Sequence, residues 1–195
     1  MSRTQYIFID FENVAVSDLS RVSGKPVQVF VIVGTKQKNL PTTLVMFVQA
    51  HPEQIRIIQT PVEGRNALDM VLALELGRIL SRDPEGYFHI VSKDNDFKSV
   101  VRHLHAEDRL VARYGQLSEI PAFKTLEERL LSIKAELSDA SKGRPTNRKR
   151  LENKIRSAFG NVIEPEFVEK IIKDLVRSGI LAFTPNDKVE YKMVA

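Results

Sequence analysis

The first two thirds of the chain alternate between short apolar runs and longer segments with helical periodicity. Four runs are nearly continuous in apolar, largely β-branched residues, and they cover residues 6–10, 27–34, 55–60 and 87–92. Continuous apolar runs of this length are typical of strands that are buried on both faces of a parallel sheet. A fifth short strand is predicted at 109–113.

The segments between these runs predict helices at 40–50, 66–82 and 96–108. The second segment, for example, places Leu68, Leu72 and Leu76 on one face at helical spacing. Strand and helix therefore alternate regularly, which predicts an α/β fold, Rossmann-like, with a central parallel sheet and right-handed crossovers.

The last third has a different pattern. An amphipathic helix is predicted at 123–137, and the polar stretch that follows, with Gly143 and Pro145, is interpreted as a linker. Two helices and a hairpin follow, an order that has the outline of a winged helix. We therefore predict an N-terminal domain over 1–137, a linker over 138–147 and a small α+β winged-helix domain over 148–195.

Charge separates the same two parts. Residues 1–142 carry 18 basic and 18 acidic side chains, whereas residues 143–195 carry 11 basic and 7 acidic ones. The net charge of +4 thus lies wholly in the last quarter of the chain. A basic segment of this kind favours contact with a polyanion, and a basic solvated surface without a partner is the alternative.

Composition excludes several classes of protein. The chain has no cysteine, so disulfide frameworks, thiolate metal sites and cysteine nucleophiles are ruled out. No apolar stretch is long enough to span a bilayer, and the N-terminus lacks the pattern of a signal peptide. We therefore expect a cytoplasmic protein that makes no membrane contact.

Acidic side chains follow two of the predicted strands. Asp10 closes the first strand, Asp94 and Asp96 follow the fourth, and Asp69 lies in the first turn of the helix at 66–82. Ligands of doubly wound sheets bind beyond the carboxyl ends of the strands, where these four carboxylates would converge if the two strands are neighbours. Clustered carboxylates repel unless a cation lies between them, and an oxygen-only site suits Mg²⁺ or Mn²⁺.

Simpler roles exist for the same residues. Asp94 or Asn95 is the type of residue that commonly caps the helix that follows, and Asp69 could lie on a solvent-facing side of its helix. His89 alternates with apolar neighbours, and we interpret it as a core residue rather than a metal ligand.

Three short motifs, in this order, resemble those of the PIN-like nucleases, in particular their NYN branch, over roughly residues 5–115. They are YIFIDFENV with Asp10 and Asn13, GRNALD with Asn66 and Asp69, and IVSKDNDF with Ser92, Asp94 and Asp96. The resemblance implies a PIN fold and metal-dependent, endonucleolytic cleavage of RNA. It further implies that the catalytic, metal-binding residues are Asp10, Asp69, Asp94 and Asp96, supported by Asn13, Asn66 and Ser92.

Basic residues close to these motifs in sequence are candidates for contact with the phosphate backbone; they are Lys36, Lys38, Arg65, Lys93 and Lys98. The C-terminal segment resembles the winged-helix, LOTUS-like modules found with such nucleases. Its candidate nucleic-acid contacts are Arg148, Lys149, Arg150 and Lys154. Dimerisation or docking of a protein partner is the alternative role for this module.

The leading hypothesis is therefore a two-domain ribonuclease that uses Mg²⁺ or Mn²⁺ and acts on single-stranded or structured RNA. A non-catalytic RNA-binding or scaffold protein that keeps the fold is the rival of another class. A nuclease that acts on DNA is the third hypothesis, and self-association into a homo-oligomer is compatible with all three.

Overall fold

The chain forms two compact units in the computed structural model. The structure describes residues 3–14, 19–61, 63, 64, 66–139, 141, 143–159 and 163–192. The first unit ends at Phe123 and the second begins at Lys124. Each unit has its own hydrophobic core and is described by itself.

A five-stranded, fully parallel sheet forms the centre of the first unit. Its strands are β1 (Gln5–Asp10), β2 (Val27–Val33), β3 (Ile55–Gln59), β4 (Tyr87–Val91) and β5 (Val111–Tyr114). All five predicted strands are present, and the last begins two residues later than the sequence pattern indicates. The α/β class with a central parallel sheet is confirmed.

Helices cover both faces of this sheet. Leu44 of α1 (Thr42–Ala50) joins one core cluster with Val31 of β2, and three-residue and four-residue 3-10 turns complete that face. The opposite face is covered by α2 (Ala67–Leu80) and α3 (Phe97–Ala106), whose Leu72 and Phe97 pack in a second cluster. Burial on both faces explains why the strands are continuously apolar.

The strand order is β3-β2-β1-β4-β5. The chain moves outward from β1 through β2 to β3, then returns to place β4 on the other side of β1. The reversal between β1 and β4 is a topological switch point, where the loops after the two strands diverge and leave a crevice at the carboxyl edge of the sheet. Asp10, the last residue of β1, therefore lies beside the chain that leaves β4.

The second unit contains three helices and a hairpin. The helices are α4 (Leu126–Ser138), α5 (Arg148–Ala158) and α6 (Pro165–Arg177), and the antiparallel hairpin is β6 (Leu181–Phe183) with β7 (Val189–Tyr191). A short β-bridge also pairs Asn147, just before α5, with Lys188 of the hairpin turn. Helix α6 ends before Gly179, whose positive φ of 72° suits the residue that follows a helix.

The structure places helix α4 in this second unit. Its Ile133 and Leu137 are buried in one cluster with Leu151 and Ile155 of α5. The sequence-based boundary at residue 137 had assigned this helix to the N-terminal domain, because an amphipathic pattern shows that a helix has an apolar face without showing what covers it. The division between the units therefore lies before α4 rather than after it.

Across the described part of the chain, every helix is too short or too polar to cross a lipid bilayer.

Candidate active site

A cavity of about 630 Å³ opens at the carboxyl edge of the sheet. It is bordered by residues that follow β1, β2, β3 and β4, together with the first turn of α2. The lining residues are Asp10, Glu12, Asn13, Gly34, Thr35, Lys36, Thr60, Glu63, Gly64, Asn66, Ala67, Leu68, Asp69 and Asp94. Because the strands are parallel, their ends bring these distant segments together at one edge.

Asp10 is fully buried at the base of this cavity, and its carboxylate is fully hydrogen-bonded. Its Oδ1 accepts from the backbone N–H groups of Glu12 and Asn13, each at 3.2 Å. Its Oδ2 accepts from Asn13 Nδ2 at 2.6 Å and from the Ser92 hydroxyl at 2.7 Å. A carboxylate offers about four lone-pair positions, so internal donors satisfy this buried charge.

Ser92 connects Asp10 to the loop after β4. The buried hydroxyl donates to Asp10 and accepts from the backbone N–H of Asp94 at 3.0 Å. Asp94 Oδ1 in turn accepts from the backbone N–H of Asp96 at 2.8 Å. This chain of hydrogen bonds fixes the loop against β1, so the positions of Asp10 and Asp94 depend on each other.

The N-cap of α3 is Asp96, and its side chain makes no capping hydrogen bond. Asp94 Oδ1 accepts from the backbone N–H of Asp96 at the start of α3, a contact that fits the helix-capping role which the sequence left open for Asp94. Asp94 is also half-buried and lines the cavity, so the two roles are compatible.

Asp69 enters the cavity from the first turn of α2, as the sequence predicts. The N-cap residue Asn66 has a positive φ of 59° and makes no side-chain capping bond, although it lines the cavity. Left-handed geometry is tolerated by asparagine and places this side chain at the cavity rather than on the helix end.

The pKa of Asp69 is raised above its ordinary value, first by burial and then by repulsion from neighbouring carboxylates. The contributing carboxylates, in decreasing order, are those of Asp10, Asp94, Asp96 and Glu12. The other three acids predicted from sequence therefore lie close enough to Asp69 to act on its charge. Only Asp96 of the four is absent from the cavity lining, and it is exposed at the start of α3.

The side chains fit a hydrated divalent cation better than one that is chelated by protein alone. All the acidic donors of the cavity are carboxylate oxygens, which suit Mg²⁺ or Mn²⁺. Among the residues that the structure describes, no three acidic or histidine side chains are close enough together to hold one ion. Mg²⁺ usually keeps several waters and uses one or two carboxylates, so a three-ligand cage is not required.

Sequence reasoning missed part of the lining. Glu12, Thr35, Thr60 and Glu63 line the cavity and are not among the predicted catalytic, metal-binding or supporting residues. Thr35 and Thr60 follow β2 and β3 closely, as Asp10 closes β1, so the rule that strand ends converge would have found them.

The basic residues predicted near the site fall into three groups. Lys36 lines the cavity, whereas Lys38, Lys93 and Lys98 are exposed and are not among the lining residues of the described chain. Arg65 lies outside the described residues.

In the second unit, two of the four predicted nucleic-acid contacts are held by acidic partners. Arg148 pairs with Glu169 of α6 and with Glu152 at 3.3 Å, and Lys154 pairs with Glu136 of α4 at 2.8 Å. The pairs with Glu169 and Glu136 link α5 to α6 and to α4, whereas the pair with Glu152 lies within α5.

Lys149 and Arg150 are exposed, and the Arg150 guanidinium donates to Thr146 Oγ1 at 3.3 Å. On α6, Lys170, Lys173 and Arg177 are also exposed and recur at helical spacing, a feature that sequence reasoning did not identify. These side chains remain accessible to an external anion.

His89 is a core residue, as predicted. It is 1% exposed, its Nε2 lies 2.7 Å from Gln5 Oε1, and it packs beside the rings of Tyr87 and Tyr114. Burial lowers its pKa from 6.5 to about 4, so the ring is neutral at physiological pH.

Comparison with known proteins gives one match. The family model described as "PIN domain" matches residues 4–114, which span the whole parallel sheet. No curated protein and no solved structure matches the chain.

Proposed function

The chain belongs to the PIN domain family, and from that membership we propose that it is a metal-dependent ribonuclease that cleaves RNA endonucleolytically. PIN domains are in general nucleases that act on nucleic acid, commonly RNA, and that use divalent metals, typically Mg²⁺ or Mn²⁺. The choice of RNA, the internal cleavage and the residues involved are the proposal.

One observation carries it: acids from separate segments of the chain meet in one cavity at the switch point of the sheet. Asp10, Asp69 and Asp94 line that cavity, and the pKa of Asp69 is raised first by burial and then by repulsion from the neighbouring carboxylates. A protein gains nothing in stability from such repulsion, whereas a site for a dication requires it. The motifs around these residues support assignment to the NYN branch of the family.

The proposed roles follow from the contacts. Asp69 and Asp94 are the accessible carboxylates that would hold the cation, with Asp96 adding charge from the rim. Asp10 is the central anion of the site, and its carboxylate would exchange an internal hydrogen bond for a cation contact. Asn13 and Ser92 orient Asp10 by donating to the same oxygen.

When bound, Mg²⁺ or Mn²⁺ lowers the pKa of a coordinated water and offsets negative charge on a phosphodiester. Lys36, which lines the cavity from the segment after β2, would contact a phosphate oxygen of the substrate. Asn66 lines the cavity and makes no capping hydrogen bond with its side chain, so its amide would offer a further polar contact to the nucleotide.

The C-terminal unit is proposed to be a winged helix that contacts the nucleic-acid backbone. The order of its elements supports this: helix α4, a short β-bridge at Asn147, helices α5 and α6, and then the hairpin. Exposed Lys149 and Arg150 are the proposed contacts, while the ion-paired Arg148 and Lys154 serve mainly to hold the helices together. Backbone contact of this kind carries affinity rather than sequence specificity.

The test is cleavage of labelled single-stranded RNA by wild type and by Asp94→Asn, with Mn²⁺ or with EDTA. The introduced amide keeps an oxygen that can accept from the backbone N–H of Asp96, so the loop should retain its shape. We expect cleavage by the variant to be slower by at least about 100-fold, because loss of a residue that only supports a metal ligand already costs about 10- to 100-fold.

Asp108→Asn is the matched control. Asp108 has a positive φ of 58°, which asparagine adopts equally well, and it lies after α3 at the other end of the helix. Cleavage by Asp94→Asn at the rate of the control would reject the proposal. Wild-type protein that retains RNA without cutting it would favour the scaffold hypothesis, and a parallel DNA substrate separates the third hypothesis.

A further inference from the structure

Gly34 lies directly beneath the side chain of Glu12. It follows the last residue of β2, and a Cβ built on it would lie 1.7 Å from Glu12 Oε1 and 2.7 Å from Glu12 Cδ. The atoms that a Cβ would meet are the end of a flexible side chain, so another residue at position 34 would push the Glu12 carboxylate out of this position. The φ of Gly34 is not positive, so the glycine matters here for the space it leaves and not for its backbone conformation.

The backbone of Glu12 is held by the carboxylate of Asp10. Its backbone N–H donates to Asp10 Oδ1 at 3.2 Å, so the residue is anchored to the buried carboxylate. Glu12 is exposed and lines the cavity, and its carboxylate lies over Gly34.

Glu12 also lacks a basic partner within the described chain. No ion pair involves it there, and Lys36 lines the same cavity without pairing with it. The carboxylates of Asp10, Asp69 and Asp94 line the same cavity as Glu12. An anchored carboxylate without a cation beside other carboxylates is suited to a positive ligand.

We propose that Glu12 is a further cation-facing carboxylate of this site, and that Gly34 is the positioning residue that lets it reach the cavity. This inference rests on the proposed function, because it assumes that the cavity takes a divalent cation. It adds a residue outside the four acids that the sequence motifs indicated.

The experiment measures Mn²⁺ affinity from the electron paramagnetic resonance signal of free Mn²⁺, with no substrate present. Glu12→Gln removes the charge and keeps the shape, whereas Gly34→Ala keeps the charge and displaces it. We expect each variant to bind Mn²⁺ about 10-fold more weakly, within the range for residues that support a metal centre. The double variant should bind no more weakly than either single one, since both act through the same carboxylate.

Gly77→Ala is the matched control for the added methyl group. A Cβ at Gly77 meets nothing within 4 Å, and the residue lies in the interior of α2, so Mn²⁺ affinity should be unchanged. Thermal unfolding checks that each variant is folded, and Glu12→Gln tests the inference even if Gly34→Ala does not fold.

Asp94→Asn distinguishes failure of the role assigned to Glu12 from failure of the proposed metal-dependent function. If Asp94→Asn weakens Mn²⁺ binding and Glu12→Gln does not, the role of Glu12 is refuted while the proposed function stands. If the wild-type chain binds no Mn²⁺, both fall. Additive losses in the double variant would refute the pairing of Gly34 with Glu12.

Discussion

Replacement of Ser92 by alanine should disconnect the two acidic segments that meet at the switch point. The hydroxyl is fully buried, donates to Asp10 Oδ2 at 2.7 Å and accepts from the backbone N–H of Asp94 at 3.0 Å. The variant leaves a buried carboxylate one donor short, and it leaves the amide of Asp94 without its acceptor.

The expected loss of stability follows from the missing hydrogen bond to Asp10. A hydrogen bond to a charged group contributes about 1.5–3 kcal/mol, so we expect Ser92→Ala to lower the free energy of unfolding by about 2 kcal/mol. Three donors to Asp10 remain, from Glu12 and Asn13, which keeps the cost well below that of a bare buried charge. RNA cleavage should fall as well, because Asp10 and Asp94 lose their common support.

The assay must report on the first unit alone, since the chain has two cores. Native-state hydrogen exchange of the amides of β1 and β4 measures the free energy of opening of that sheet. Ser99→Ala on the exposed side of α3 is the matched control, with an expected change within about 0.5 kcal/mol. If Ser92→Ala costs no more than Ser99→Ala, the hydroxyl does not support Asp10 and the reasoning is wrong.

Two further predictions concern the core and the second unit. The pKa of His89 falls from 6.5 to about 4 on folding. As the pH drops, the unfolded chain therefore binds a proton at this histidine before the folded chain does. The free energy of unfolding should decrease from pH 6.5 downward, by roughly 3 kcal/mol in total at pH values below 4. His89→Phe should flatten this part of the stability curve measured by urea unfolding, and an unchanged slope would contradict the assignment. Charge reversal of Lys149 and Arg150 to glutamate should weaken RNA retention at low salt and reduce the slope of log K against log salt by about one per residue. The same reversal at exposed Arg82 and Arg102 is the control, and equal losses in both pairs would indicate a non-specific effect of net charge.

Local pattern was sufficient to predict the elements of this protein. The continuous apolar run at 27–34 became β2, and the periodic segment at 66–82 became α2, because burial on two faces and burial on one face leave different spacings in the sequence. Asp10 was recognisable as unusual for a similar reason: it ends a strand in which residues 6–9 are all apolar and buried.

The sequence did not predict in the same way which helices pack together or which charged side chains form ion pairs. Helix α4 has an apolar stripe that would suit either unit, and only the packing of Ile133 and Leu137 against α5 decided between them. Likewise Arg148 and Lys154 look like free cations in sequence, but Glu169 and Glu136 neutralise them across helices.

The sequence by itself determined which segments are strands and helices, and it marked the acids that follow strand ends. Tertiary structure alone decided that β1 and β4 are neighbours, that Ser92 joins Asp10 to Asp94, and that Gly34 leaves room for Glu12. The reason is physical: periodicity records how deeply each residue is buried, whereas a site depends on contacts between residues that are far apart in the chain, and those contacts exist only once the sheet order is fixed.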